Sequence, residues 1–119
     1  MSNGLPQILY VDDEDPNLVL FKIAFREELQ VITANSGNSG LQMLEEFPDI
    51  ECVISDMRMP GMTGLEFIKQ AREDYPHLNY YLLTGFELSE EINDALNENI
   101  IKEYFRKPFD KELILETIS

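Results

Sequence analysis

Five residues have the types and settings for phosphoryl chemistry on a carboxylate. Asp12 and Asp13 end the apolar run Ile8-Leu9-Tyr10-Val11. Asp56 ends Cys52-Val53-Ile54-Ser55, and Thr84 ends Tyr80-Tyr81-Leu82-Leu83. Lys107, followed by Pro108, comes just after Glu103-Tyr104-Phe105. If these runs are strands, three carboxylates, a hydroxyl and an ammonium share one crevice. Clustered carboxylates repel one another unless a cation lies among them. Oxygen-only ligands suit a hard ion such as Mg²⁺, which keeps several waters and takes one or two protein carboxylates. The single cysteine and single histidine, Cys52 and His77, make no zinc ligand set. A metal-held carboxylate beside an ammonium and a hydroxyl can accept a phosphoryl group. Metal and ammonium stabilise the equatorial oxygens while the carboxylate attacks in line. Aspartyl phosphates are a known product of carboxylate nucleophiles.

The elements that must position these residues follow from the pattern. Each apolar run reads as a short buried strand, and Val31-Ile32-Thr33-Ala34 adds a further one. Between them lie amphipathic stretches. Asp15 caps a first helix with Pro16 at its first position, carrying Leu18, Phe21, Ile23, Phe25 and Leu29. Ser36 caps a second, with Leu41, Met43, Leu44 and Phe47. The turn residues Pro60 and Gly61 precede a third, with Leu65, Phe67, Ile68 and Ala71, closed by Tyr75-Pro76. Ser89 starts a fourth, whose Asn93, Asn97 and Asn99 give it weak helix propensity. Asp110 caps the last, over Leu113, Ile114, Leu115 and Ile118. Five β-α repeats imply an α/β fold: a doubly wound five-stranded parallel sheet with helices on both faces. Ligands of such folds bind at the carboxyl ends of the strands, where the five residues fall.

Taken singly, each residue has a plainer reading. Asp12 and Asp13 can cap a helix, Asp56 can shape a turn before Pro60, Thr84 can cap a helix and Lys107 can be solvated. The joint placement at equivalent strand ends is what favours chemistry. Composition sets the outer limits. The chain has 119 residues, one domain's length, with 44% hydrophobic and 27% charged residues. A domain of this size buries roughly 65% of its unfolded surface. Net charge is −14, from 23 acids and 9 bases, which argues against nucleic acid and against anionic membranes. One cysteine permits no internal disulfide, and its apolar setting reads as a buried inert thiol. There is no signal-peptide pattern and no window of ~20 apolar residues. A reducing, cytoplasmic location is expected.

Over essentially its whole length, 1–119, the chain resembles the receiver domain of two-component response regulators, of the chemotaxis-regulator type. Val11-Asp12-Asp13, the block Asp56-Met57-Arg58-Met59-Pro60-Gly61-Met62-Thr63-Gly64, Leu83-Thr84-Gly85 and Lys107-Pro108-Phe109 carry the likeness. The middle block fits D-x-x-M-P-x-M-x-G at every fixed position. The resemblance implies a flavodoxin-like (βα)5 fold with strand order 2-1-3-4-5. Asp56 would be the phosphoacceptor. Asp13 would bind Mg²⁺ directly, with the Asp56 carboxylate and the Arg58 backbone carbonyl, and Asp12 through a metal-bound water. Thr84 and Lys107 would each hold a phosphoryl oxygen, Gly85 would leave room for the phosphoryl group, and Lys107-Pro108 would be cis. Tyr104 would be the aromatic switch that turns inward when Thr84 moves; without the family it reads as a half-buried ring. The implied partners are a sensor histidine kinase or histidine phosphotransfer protein, a downstream output domain or protein, and possibly a second copy through the face of the fourth helix, fifth strand and fifth helix. No nucleic acid or membrane is expected. The domain would be a switch that catalyses only its own phosphorylation and dephosphorylation.

Arg58 and Phe86, each two residues beyond a site residue, border the implied pocket. Their bulk predicts slow autodephosphorylation. The chain reads either as a stand-alone receiver or as one joined to an output domain. Gly37-Asn38-Ser39-Gly40 lacks phosphate-loop spacing and reads as a helix start. His77 reads as a solvated loop residue. Three other functions compete. A haloacid-dehalogenase-like phosphatase would need its nucleophile at strand one, where Pro16-Asn17 fit poorly. A receiver signalling by contact alone leaves the acceptor set unused. A flavodoxin would need a Ser/Thr/Gly phosphate loop after strand one, which is absent from the sequence.

Overall fold

A computed structural model describes residues 4–85 and 88–119. The order is β1 (Gln7–Val11), α1 (Asp15–Phe25), β2 (Gln30–Ala34), α2 (Gly37–Glu46), β3 (Ile50–Asp56), α3 (Gly64–Asp74), β4 (Asn79–Thr84), α4 (Glu90–Asn97), β5 (Glu103–Arg106) and α5 (Lys111–Ile118). The strands form one parallel sheet in the order β2-β1-β3-β4-β5, as expected. In register, Val11 lies beside Ser55 and Ala34, Asp56 beside Leu83, and Thr84 beside Arg106. The carboxyl ends of β1, β3 and β4 therefore meet along one edge.

Period-two alternation divides the core between the two faces. Leu9, Val11, Val53, Tyr80 and Leu82 point to one side, where they meet Leu44 of α2, Leu65, Phe67 and Ile68 of α3, and Ile92 and Ala95 of α4. Ile8, Tyr10, Cys52, Ile54, Tyr81 and Leu83 point to the other, against Leu18, Phe21 and Phe25 of α1, Ile114 of α5, and Phe105. Cys52 is buried there as expected, and burial, helped by Glu51, pushes its thiol up to about 12. His77 is exposed.

Helix ends are set by named groups. Ser36, Ser89 and Asp110 each accept a backbone N–H three residues on, as expected. Thr63 and Glu66 form a reciprocal capping box at the start of α3. Asn99, at φ 61°, closes α4: its own N–H reaches Leu96 O, and Ile100 N–H reaches Ala95 O. The first helix departs from expectation. Its cap is Glu14, whose side chain takes no capping bond from the helix backbone, Asp15 is already helical, and Pro16 occupies the second position. The reason is Asp12, whose carboxylate takes the Glu14 N–H and so fixes the turn one residue earlier. Ile23 is 53% exposed. It lies two residues from both Phe21 and Phe25, about 200° around a helix, and cannot share their face. Leu29 is buried but lies beyond the helix.

Candidate phosphoacceptor site

Asp12 is fully buried at the end of β1 and its two oxygens are committed. Oδ1 accepts the Glu14 N–H at 3.0 Å. Oδ2 accepts the Tyr10 hydroxyl at 2.7 Å and Asn17 Nδ2 at 3.2 Å. Asn17, in the first turn of α1, also donates to Glu14 Oε2 at 3.0 Å. Asp56, at the end of β3, is 6% exposed. Lys107 Nζ lies 3.0 Å from Asp56 Oδ1 and 3.8 Å from Asp12 Oδ2. Asp12, Asp13 and Asp56 each bring one carboxylate oxygen into a group within 4.8 Å of one another. Four of the residues singled out by sequence thus converge.

Local backbone holds the ends in place. The Asp56 carbonyl accepts the Ser55 hydroxyl at 2.9 Å. Gly64 packs so closely on that carbonyl that a Cβ there would collide with it, so the start of α3 abuts the strand that carries Asp56. Gly61, at φ 78°, turns the intervening loop. Met57 N–H bonds Leu83 O at 3.1 Å and Gly64 N–H bonds Met57 O at 2.9 Å. Lys107 N–H bonds Thr84 O at 2.8 Å, which fixes the lysine beside β4, and the Lys107-Pro108 peptide is cis as expected.

The electrostatics follow from this crowding. Burial raises the Asp56 carboxyl above its ordinary 3.8. The Lys107 hydrogen bond and charge oppose the rise, and Asp12 and Asp13 add to it. Burial, with the Asp12 bond and charge, lifts the Tyr10 hydroxyl well above the usual phenol range, so it is a donor at any working pH. Three carboxylates face one ammonium, leaving an excess of negative charge on oxygen-only donors. Such a set fits a hard divalent cation and leaves it mixed carboxylate and water ligation.

The remaining candidates divide. Thr84 ends β4 and is 2% exposed. Arg58 lies in the β3–α3 loop with an exposed side chain, lining a shallow cleft with Met57, Met59 and Pro60. Tyr104 is half-buried, beside Leu82 in register, and packs against the core layer of α4. Phe105 is buried in the opposite layer, as expected. Phe86 lies outside the described residues. Sequence reasoning missed Tyr10 and Asn17 as site residues. Tyr10 had a signal: residues two apart on a strand share a face, so Tyr10 and Asp12 were bound to lie side by side.

The comparisons with known proteins agree with this geometry. The response regulator receiver domain family matches residues 8–119. The hydrogenase transcriptional regulatory protein HoxA of Cupriavidus necator is 32% identical over 99% of this chain. The chain spans 24% of HoxA, about a quarter of its length. Among solved structures, an adenylate cyclase from Rhodopirellula baltica is 32% identical with a TM-score of 0.89, covering 96% of this chain and 84% of that one. The chemotaxis protein CheY4 of Vibrio cholerae is 28% identical with a TM-score of 0.86, covering 97% of both chains. With its parallel sheet in the order 2-1-3-4-5 and its acidic crevice at the strand ends, the chain belongs to the response regulator receiver domain family.

Proposed function

We propose that residues 1–119 form one receiver domain that acts as a phosphoacceptor switch, with Asp56 as the nucleophile. The observation that carries this reading is the pairing of Lys107 Nζ with Asp56 Oδ1 at 3.0 Å beside two further carboxylates. An Asp56 oxygen attacks the phosphorus of a donor phosphohistidine. The P–N bond breaks, its electron pair stays with the imidazole, and an acyl phosphate remains on Asp56. Lys107 passes from the carboxylate to a phosphoryl oxygen, and the Thr84 hydroxyl takes another. Asp13, the Asp56 carboxylate and the Arg58 carbonyl would hold Mg²⁺, with Asp12 acting through water. When bound, such an ion would supply positive charge to the phosphoryl oxygens.

Movement of Thr84 toward the phosphoryl group gives the Tyr104 ring room to turn inward, which changes the face formed by α4, β5 and α5. The donor is a sensor histidine kinase or histidine phosphotransfer protein. The receiver of the signal is an output domain, an output protein or a second copy. No true enzymatic turnover of other substrates is assigned, and no nucleic acid or membrane contact is made by this domain. Cytoplasmic residence accords with a net charge of −14 and with the lack, among the described residues, of a helix long and apolar enough to cross a membrane.

Incubation with Mg²⁺ and acetyl phosphate, followed by intact mass measurement, tests the assignment. One phosphoryl group should add, and none without Mg²⁺ or in Asp56→Asn. No adduct, together with no Mg²⁺-dependent beryllofluoride binding, would replace this reading with signalling by contact alone.

A further inference from the structure

Tyr10 lies outside the acceptor set, yet it makes a short bond to one of its members. Its hydroxyl donates to Asp12 Oδ2 at 2.7 Å. That oxygen is also the Asp12 atom nearest Lys107, at 3.8 Å, while Lys107 sits 3.0 Å from Asp56. The lysine therefore stands between two buried carboxylates and has chosen one. We propose that Tyr10 is a positioning residue: by occupying Asp12 Oδ2 it keeps Lys107 on Asp56. The inference rests on the acceptor reading of Asp56 given above.

The physical case is a competition for donors. A fully buried carboxylate must be satisfied, and a charge-assisted bond is the strongest way to do it. Asp12 Oδ1 already has the Glu14 N–H. At Oδ2 the other donor is Asn17, at 3.2 Å and shared with Glu14. Without the phenol, the strongest remaining donor in reach is the Lys107 ammonium. It needs to move only about 1 Å to reach ordinary ion-pair distance. That movement takes the ammonium off Asp56 and places it against a carboxylate of the metal-binding group. Tyr10 itself cannot follow a different course. Its ring is 2% exposed and stacked on Phe21, with centroids 3.9 Å apart and planes 10° apart. The hydroxyl is held at Asp12 by packing that has nothing to do with the site. Such outer partners of metal-binding carboxylates commonly set metal affinity.

Tyr10→Phe in the full chain removes the hydroxyl and keeps the stacked ring. Mg²⁺ alone, titrated calorimetrically, should bind about tenfold more weakly than to the wild type. In a Lys107→Met background, where there is no ammonium to capture, Tyr10→Phe should change Mg²⁺ affinity less than about twofold. A merely structural tyrosine would give the same loss in both backgrounds. Equal Mg²⁺ affinity of wild type and Tyr10→Phe overturns the proposal, as does a loss undiminished by Lys107→Met. A wild type that binds Mg²⁺ and takes up phosphoryl from acetyl phosphate, beside an indistinguishable Tyr10→Phe, defeats the Tyr10 role and leaves the acceptor reading standing. A wild type that does neither defeats both. The wild type also carries its own readout, should the variant fold poorly. Mg²⁺ addition should shift the near-ultraviolet absorption of the phenol bonded to Asp12, and a flat difference spectrum overturns the proposal.

Discussion

The two faces of the sheet are built differently. On the side of α1 and α5 the core is aromatic and interlocked. Tyr10 stacks on Phe21, and Phe21 meets both Phe25 and Phe109, with centroids 4.6 and 5.3 Å away. Tyr81 stacks on Phe105 in the same layer. On the side of α2, α3 and α4 the layer is mainly aliphatic, and among the described residues Phe67 and Tyr80 make no ring pair there. The helices differ in the same sense. The eleven residues of α1 bury Leu18 and two phenylalanines, whereas the eight residues of α4 bury Ile92 and Ala95. Stacked rings add attraction beyond their buried area and admit few alternative packings. Short helices held by small contacts open easily. The Asp12 carboxylate is thus anchored to the aromatic face through Tyr10 and Phe21, while Tyr104 packs on the layer of the short helix α4. The proposed chemistry sits where geometry must stay fixed, and the proposed readout sits where it can change.

The comparison can be broken by stability measurements. Phe21→Ala should cost about 4 kcal/mol in urea unfolding, and Ile92→Ala about 2 kcal/mol, because a short helix can settle into the gap. Equal losses would erase the distinction between the faces. Native-state hydrogen exchange sharpens it further. Amides of α4 should exchange through openings at least about 2 kcal/mol cheaper than those of α1, and the reverse order would contradict the argument.

The charge on the stiff face has its own signature. Folding raises the Asp56 pKa, so the native state binds that proton more tightly than the unfolded chain does. The stability this contributes is fully present below about 3.8 and is lost as pH rises through the raised native value. At pH 7 the buried charge is a net burden. Asp56→Asn should therefore raise Tm by roughly 5 °C at neutral pH. The gain should shrink as pH falls through the Asp56 titration, and a pH-independent gain would point to packing instead. The smallest effect belongs to Lys111 and Glu28, which join α5 to the turn between α1 and β2 at 3.1 Å but are both about one-third exposed. Lys111→Ala should cost no more than about 0.5 kcal/mol, less at high salt. A larger loss would mean that α5 depends on the ion pair more than on its apolar packing.

The polar residues at the strand ends were legible because apolar runs stopped abruptly at Asp12, Asp56 and Thr84, and parallel β-α order then fixed where those ends meet. Ser36, Ser89 and Asp110 were legible as caps because each acts locally, on an N–H three residues away. The start of α1 was not legible, since the turn there is set by Asp12, a residue serving the site as well as the helix. The capping box of Thr63 and Glu66 is local too, since its two partners stand three residues apart at the start of α3. The partition of Lys107 between two carboxylates depends on differences of less than 1 Å, which no spacing rule carries.

Cys52 has a practical consequence. It is the chain's sole thiol, 5% exposed and pushed up to about 12, so its reactive thiolate is scarce near neutral pH. The protein therefore arrives with a blank background for maleimide chemistry. A cysteine placed at an exposed position of α4, such as Asn93, could be labelled with a spin probe while Cys52 stays silent. The motion of that helix could then be followed without first removing a residue from the core.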